Sequence, residues 1–146
     1  MNARYNYHVV TKMNEQDNDF WQHHSLEYLE MAFSHDNRER YANPDGYGKN
    51  TGDCGDTVEI FLMIEGDSIA HAAFDVDGCI NTAACANTVI NKIVGKPLGE
   101  AWEISPEQVI DYLKTLPDES EHCAELAVGA LYLAVADFEK RLEVRN

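Results

Sequence analysis

Positive charge is scarce in this chain. Eleven Lys and Arg stand against 26 Asp and Glu, a formal net charge of −15 over 146 residues, so the summed field repels phosphate backbones and anionic headgroups and disfavours nucleic-acid binding. Long apolar runs are missing too. The longest stretch without a formal charge, Gly78 to Asn91, contains Asn81, Thr82, Asn87, Thr88 and Asn91, whereas a membrane-spanning helix needs about 20 apolar residues. No membrane partner is expected. Met1 to Thr11 carries Arg4, Tyr5, Tyr7 and His8 and lacks the basic start and apolar core of a secretory signal, which predicts a cytoplasmic protein.

Cysteine is sparse as well. The four cysteines include no Cys-x-x-Cys pair, and in a reducing compartment they read as free thiols, nucleophiles or metal ligands rather than as a disulfide framework. There is no Gly-rich loop ending in Lys-Ser/Thr, no Gly-x-Gly-x-x-Gly and no Gly-x-Ser-x-Gly elbow, so nucleotide-driven chemistry and serine hydrolysis find no support.

What is present suffices for one domain, residues 1–146, with 45% apolar residues to build its core. Residues 14–33 open with Asn14, Glu15, Asp17 and Asp19 and continue into Phe20, Trp21, His24, Tyr28, Leu29 and Ala32, which predicts one amphipathic helix with acidic residues at its N-terminal dipole. From Ser34 to Gly55 the composition turns to Asn, Asp, Gly and Pro, predicting a mobile, ligand-bearing loop over 34–55. Thr57 to Glu65 and Ser68 to Val76 read as strands joined by Gly66-Asp67, the Gly-first pair that a type II′ hairpin turn prefers. A helix follows over 80–94, stopped by Gly95 and Pro97. Another is opened by the capping box of Ser105-Pro106-Glu107-Gln108, and a last one, capped by Ser120, runs to about Leu142. Strands early and helices late imply an α+β fold, a small antiparallel β-sheet with helices packed on one face.

The chemistry-bearing residues lie at turns and helix starts. In Thr51-Gly52-Asp53-Cys54-Gly55-Asp56 the glycines free the backbone around Cys54, and a thiolate and a carboxylate two residues apart can share a metal; the same hexapeptide can equally be a tight turn with an incidental cysteine. Cys79 follows Gly78 at a strand-to-helix junction, where helix N–H groups stabilise a thiolate, although a small buried hydrophobe fits there too. Cys85, six residues on and inside the helical pattern, reads more simply as core. His122-Cys123 falls in the first turn of the last helix, and both side chains are competent soft-metal ligands. Three Cys with an Asp and a His from three distant segments can form a partly open site for iron–sulfur or zinc. The remaining histidines (His8, His23, His24, His35 and His71) read as structural or solvated, and the run Asp118, Glu119, Glu121 as a solvated loop with charge suited to a helix N-terminus.

With these residues assembled, the chain resembles the NifU/IscU-type iron–sulfur cluster assembly scaffold family over roughly residues 15 to 142. The resemblance rests on Asn43-Pro44 upstream of Gly52-Asp53-Cys54-Gly55-Asp56, on Gly78-Cys79 after the hairpin, on Gly95-Lys96 with Glu100-Ala101, and on Leu116-Pro117, His122-Cys123, Leu126-Ala127 and Ala136-Asp137-Phe138. It implies that Cys54, Cys79 and Cys123 ligate the cluster, that Asp56 is the carboxylate that keeps it labile, and that His122 is an alternate ligand. It also implies a scaffold without turnover chemistry of its own, as monomer or homodimer. Such a scaffold accepts persulfide sulfur from a cysteine desulfurase, combines it with iron into a transient [2Fe-2S] cluster and passes that to apo iron–sulfur acceptor proteins. Zinc binding at the same residues in the resting form is a further implication.

The departures from the family are informative. Many bacterial scaffolds carry Leu-Pro-Pro-Val-Lys before His-Cys, whereas this chain reads Leu116-Pro117-Asp118-Glu119-Ser120-Glu121, which argues against dependence on an Hsp70-type chaperone. Cys85 stands where the family tends to be serine-rich. The chain ends at Asn146 without the further domains of full-length NifU, which implies a standalone scaffold. The competing reading is a zinc-binding persulfide acceptor that regulates a desulfurase. The related SufU-like branch carries an insertion between the second and third cysteines and usually lacks the His before the third. The short separation of Cys79 from Cys123 and the presence of His122 favour the NifU/IscU branch.

Overall fold

The computed structural model describes residues 21–145. In chain order it contains α1 (Leu26–Phe33), β1 (Gly46–Thr51), β2 (Thr57–Glu65), β3 (Ser68–Asp77), α2 (Ile80–Ile93), α3 (Pro106–Leu113) and α4 (Glu121–Arg145), with 3-10 turns at Leu98–Glu103 and Asp118–Ser120. The fold is α+β: a three-stranded antiparallel sheet in the order β1-β2-β3, with α2 and α4 against one face. Alternation along β2 turns Val58, Ile60 and Leu62 into the core, where Phe74, Ile90, Leu113 and Leu131 join them. Fully burying a Val, Leu, Ile or Phe side chain contributes about 1.5–3 kcal/mol each. On the other face Phe61 is covered by Tyr41, Tyr47 and the guanidinium of Arg40.

The hairpin forms as the pattern predicts. Gly66 has φ +63°, and Asp67 is not among the residues with positive φ, the combination a type II′ turn requires and a type I′ turn does not have. The register shifts once between Met63 and Ile64, leaving Ala70 as the extra residue of a bulge. Helix α2 begins at Ile80 with Cys79 as its N-cap residue and stops at Ile93, followed by Gly95 at φ +83°. The Ser105–Gln108 capping box is complete.

Three expectations need correction. The expected helix over 14–33 lies in part outside the described residues; within them it breaks at His23–Ser25, and α1 starts only at Leu26. The break has local causes. Ser25 Oγ accepts from the Tyr28 N–H and donates to the Leu113 carbonyl, while the Ser25 N–H donates to Thr115 Oγ1, so polar bonds to the end of α3 replace helical ones. Ser120 ends a 3-10 turn that runs into α4, and its hydroxyl accepts from Asn81 Nδ2.

The third correction concerns residues 34–55, which include a strand. β1, of sequence GYGKNT, pairs with β2 from Gly46↔Leu62 to Thr51↔Thr57. Its glycines mark a close approach rather than a turn. A Cβ on Gly46 would stand 2.5 Å from the Ala134 carbonyl oxygen, and one on Gly48 would stand 2.5 Å from the Ala134 nitrogen and closer still to the Ala130 oxygen. Helix α4 thus lies directly on the backbone of β1. Side chains reinforce the contact: Asp137 accepts from the Tyr47 N–H at 2.9 Å, and Asn50 Nδ2 donates to the Leu126 carbonyl at 3.1 Å.

Candidate functional site

Three loops or helix starts converge at one end of the sheet. The β1–β2 turn carries Cys54 and Asp56, closed by Gly52 N–H to the Asp56 carbonyl and Gly55 N–H to the Gly52 carbonyl, with Gly55 at φ +93°. The end of β3 delivers Cys79 to the start of α2, and the 3-10 turn before α4 delivers His122 and Cys123. Ligand atoms of Asp56, Cys79 and Cys123 all lie within 4.8 Å of one another. That spacing suits one soft or borderline metal ion held by two sulfurs and an oxygen.

One side chain touches all three. Thr82, fully buried on the first turn of α2, donates its hydroxyl to Asp56 Oδ2 at 2.6 Å, with Cys123 Sγ at 3.3 Å and Cys79 Sγ at 3.6 Å. Gly78 makes room beside it, since a Cβ there would meet Asp56 Oδ2 at 2.6 Å. His122 Nε2 stands 3.7 Å from Cys123 Sγ. Behind the site, the buried Tyr28 donates its hydroxyl to Asn81 Oδ1, and Asn81 Nδ2 donates to Ser120 Oγ, which ties α1, α2 and the start of α4 together. Burial, with the neighbouring cysteines adding to it, pushes the Tyr28 phenol up to about 12, so it remains a donor.

The thiols differ by environment. Burial pushes Cys79 up, but its contact with the Thr82 side chain and the N–H groups of Thr82 and Asn81 at its sulfur outweigh this and leave it below the ordinary thiol value. Cys123 is raised, mainly by burial, with Thr82 opposing and Cys79, Asp56 and Cys54 adding to the rise. Cys85 is raised strongly by burial and then by Cys123 and Cys79. A fully buried thiol of this kind is inert, and Cys85→Ser is expected to leave metal uptake and cluster assembly at the wild-type level. Loss of cluster in that variant would make Cys85 a ligand.

Of the residues singled out in the sequence, Asp56, Cys79 and Cys123 form the cluster. Cys54 and His122, both exposed, line an adjoining open groove of about 450 Å³ together with Asn50, Asp53, Glu125 and Leu126. His24 is engaged with Thr115, and His71 is exposed on β3. Thr82 escaped the sequence reading, although a hydroxyl one helical turn after Cys79 was there to be seen. Among the described residues no helix is long and apolar enough to cross a membrane.

The chain is 30% identical over 88 residues to the iron-sulfur cluster assembly scaffold protein IscU 1 of Archaeoglobus fulgidus, covering 60% of this chain and 58% of that protein. It is 29% identical over 129 residues to the iron-sulfur cluster assembly scaffold protein IscU of Escherichia coli K12, covering 79% of this chain and 100% of that protein. The chain thus spans 58% of the length of the Archaeoglobus relative. In fold it is similar to the crystal structure of a nitrogen-fixing NifU-like protein (N-terminal) from Brucella abortus, with a TM-score of 0.66 at 16% identity, covering 80% of this chain and 94% of the other. Residues 37–144, from the segment between α1 and β1 to the last turn of α4, match the model of the NifU-like N terminal domain, and to that family this chain belongs.

Proposed function

We propose that this protein is an iron–sulfur cluster assembly scaffold. The observation that carries the reading is the convergence of Asp56, Cys79 and Cys123 within 4.8 Å, beside a groove that exposes Cys54 and His122. An exposed thiol on a glycine-flanked turn can reach a persulfide donor, and the cluster behind it supplies two more sulfurs and one exchangeable oxygen. Cys54, Cys79 and Cys123 hold the iron, Asp56 completes the set, and His122 stands by as an alternate ligand. Sulfur arrives from a cysteine desulfurase as persulfide. Its reduction to sulfide draws electrons partly from ferrous iron and partly from an external donor, and the product is a [2Fe-2S] cluster. Iron, sulfur and cluster are cargo, handed on to apo iron–sulfur proteins, and the protein has no turnover chemistry of its own. Three thiolates with one carboxylate make a weaker, more exchangeable set than four thiolates, as release requires.

A second reading is favoured by the spacing itself. Two thiolates and a carboxylate this close suit a single zinc ion with Cys54 as a fourth ligand, which would make the protein a zinc-binding persulfide acceptor that regulates its desulfurase. One anaerobic experiment separates the two. The protein is supplied with ferrous iron, cysteine, a reductant and a desulfurase; the visible spectrum is recorded, and an apo-ferredoxin is then added together with a chelator. The scaffold reading expects a cluster that reaches the ferredoxin faster than the chelator strips it. Persulfide on a cysteine with tightly held zinc and no cluster would establish the regulator instead.

A further inference from the structure

We infer that Thr82 is the positioning residue of this site, holding the Asp56 carboxylate at the two sulfurs so that the three ligand atoms stand assembled before any metal arrives. The inference rests on the metal-site reading above and extends it to a residue that supplies no ligand atom.

The argument begins from the chemistry of a hydroxyl. It has one proton to donate and two lone pairs to accept with, and a buried one needs at least one partner. Thr82 is fully buried. Its proton goes to Asp56 Oδ2 at 2.6 Å, because a carboxylate only accepts. The same hydroxyl oxygen lies 3.3 Å from Cys123 Sγ and 3.6 Å from Cys79 Sγ. Among the described residues Thr82 makes the one side-chain hydrogen bond to the Asp56 carboxylate.

The carboxylate therefore sits in a slot. Gly78 forms one wall, where a Cβ would collide with Oδ2 at 2.6 Å, and the Thr82 hydroxyl marks the position of the oxygen. The slot spans separate elements, since Asp56 comes from the β1–β2 turn and Thr82 from α2. The bond thus fastens the ligand-bearing turn to the helix that presents Cys79. Without it, a half-buried Asp on a glycine-flanked turn has no side-chain partner and is free to face solvent. The ion would then meet two sulfurs and have to recruit the oxygen itself.

The test is a cobalt titration of the metal-free full chain under anaerobic conditions, read at both the thiolate-to-cobalt charge-transfer bands and the d–d bands. Partners that orient a metal ligand typically change affinity by about 10–100-fold. Thr82→Val, which keeps the shape and removes the hydroxyl, is expected to weaken cobalt binding by about tenfold, within that range. The charge-transfer intensity per bound ion should persist, because both thiolates remain, while the d–d bands change as the oxygen ligand is lost. Thr82→Ser should restore wild-type affinity and spectrum. In an Asp56→Ala background the valine substitution should have little further effect, because Thr82 acts through Asp56.

Wild-type affinity and d–d bands in Thr82→Val would overturn the inference, as would an equal loss with and without Asp56, which marks a structural role only. If the valine variant does not fold, Thr82→Ala against Thr82→Ser carries the same comparison. Failure of the wild-type protein to bind cobalt at all would overturn the metal-site reading itself, an outcome distinct from an unchanged Thr82 variant.

Discussion

Replacing Asp56 with alanine is expected to lengthen the life of an assembled cluster. Asp56 is the single hard oxygen in a set of soft sulfurs, and carboxylate oxygen is the weaker partner for iron in a thiolate-rich site. It also adds a negative charge beside Cys79 and Cys123, whose ligand atoms lie within 4.8 Å of it. Alanine removes that repulsion and the exchangeable position, and leaves His122, whose Nε2 is already 3.7 Å from Cys123 Sγ, to supply a neutral nitrogen. The cluster's loss to a chelator should slow by about tenfold, equivalent to about 1.4 kcal/mol in the barrier to release. Transfer to an apo-ferredoxin should slow with it. The measurement is the decay of the visible cluster bands with chelator present, for wild type and variant side by side. Decay at the wild-type rate or faster in Asp56→Ala would remove Asp56 from the release step.

A second large effect is expected far from the ligands. Gly48→Ala adds one methyl carbon to β1, and that carbon would stand 2.5 Å from the Ala134 nitrogen and closer still to the Ala130 oxygen. Both are backbone atoms within a long helix, so neither can rotate away, and the strand or the helix must move. Overpacking a well-filled core costs typically about 1–3 kcal/mol, and a clash with backbone falls at the upper end. A loss of about 3 kcal/mol should lower the melting temperature by roughly 10 °C in a chain of this size. Gly99→Ala is the matched control, because a Cβ there meets nothing within 4 Å. A change within about 0.5 kcal/mol is expected for it, as for surface substitutions generally. Equal melting temperatures for the two variants would mean that α4 does not lie as close on β1 as described.

The same contact explains why β1 was hidden. Strands are read from alternating apolar residues, and GYGKNT has almost none. Its partner on the core side is the backbone of α4, so glycine replaces the apolar side chain that would otherwise announce the strand. Nothing local in residues 46–51 reveals which distant segment will lie on them. The break at Ser25 was hidden for a related reason. It depends on Thr115 and Leu113, about ninety residues away, whereas the apolar recurrence runs on through it.

What the sequence determined by itself was local or chemical. Gly66-Asp67 set the hairpin, Ser105 to Gln108 opened α3, and Gly95 closed α2, because turn and cap preferences reside in the few residues that make them. The scarcity of basic residues and the types of the candidate ligands were likewise present in the chain. The tertiary structure alone decided which candidates meet. It gathered Asp56, Cys79 and Cys123 from three segments, left Cys54 and His122 on the open groove beside them, and buried Cys85 away from solvent. It also placed Thr82 at their centre. A site assembled from residues remote in sequence exists only once the core has closed, because the packing of α2 and α4 on the sheet sets those distances.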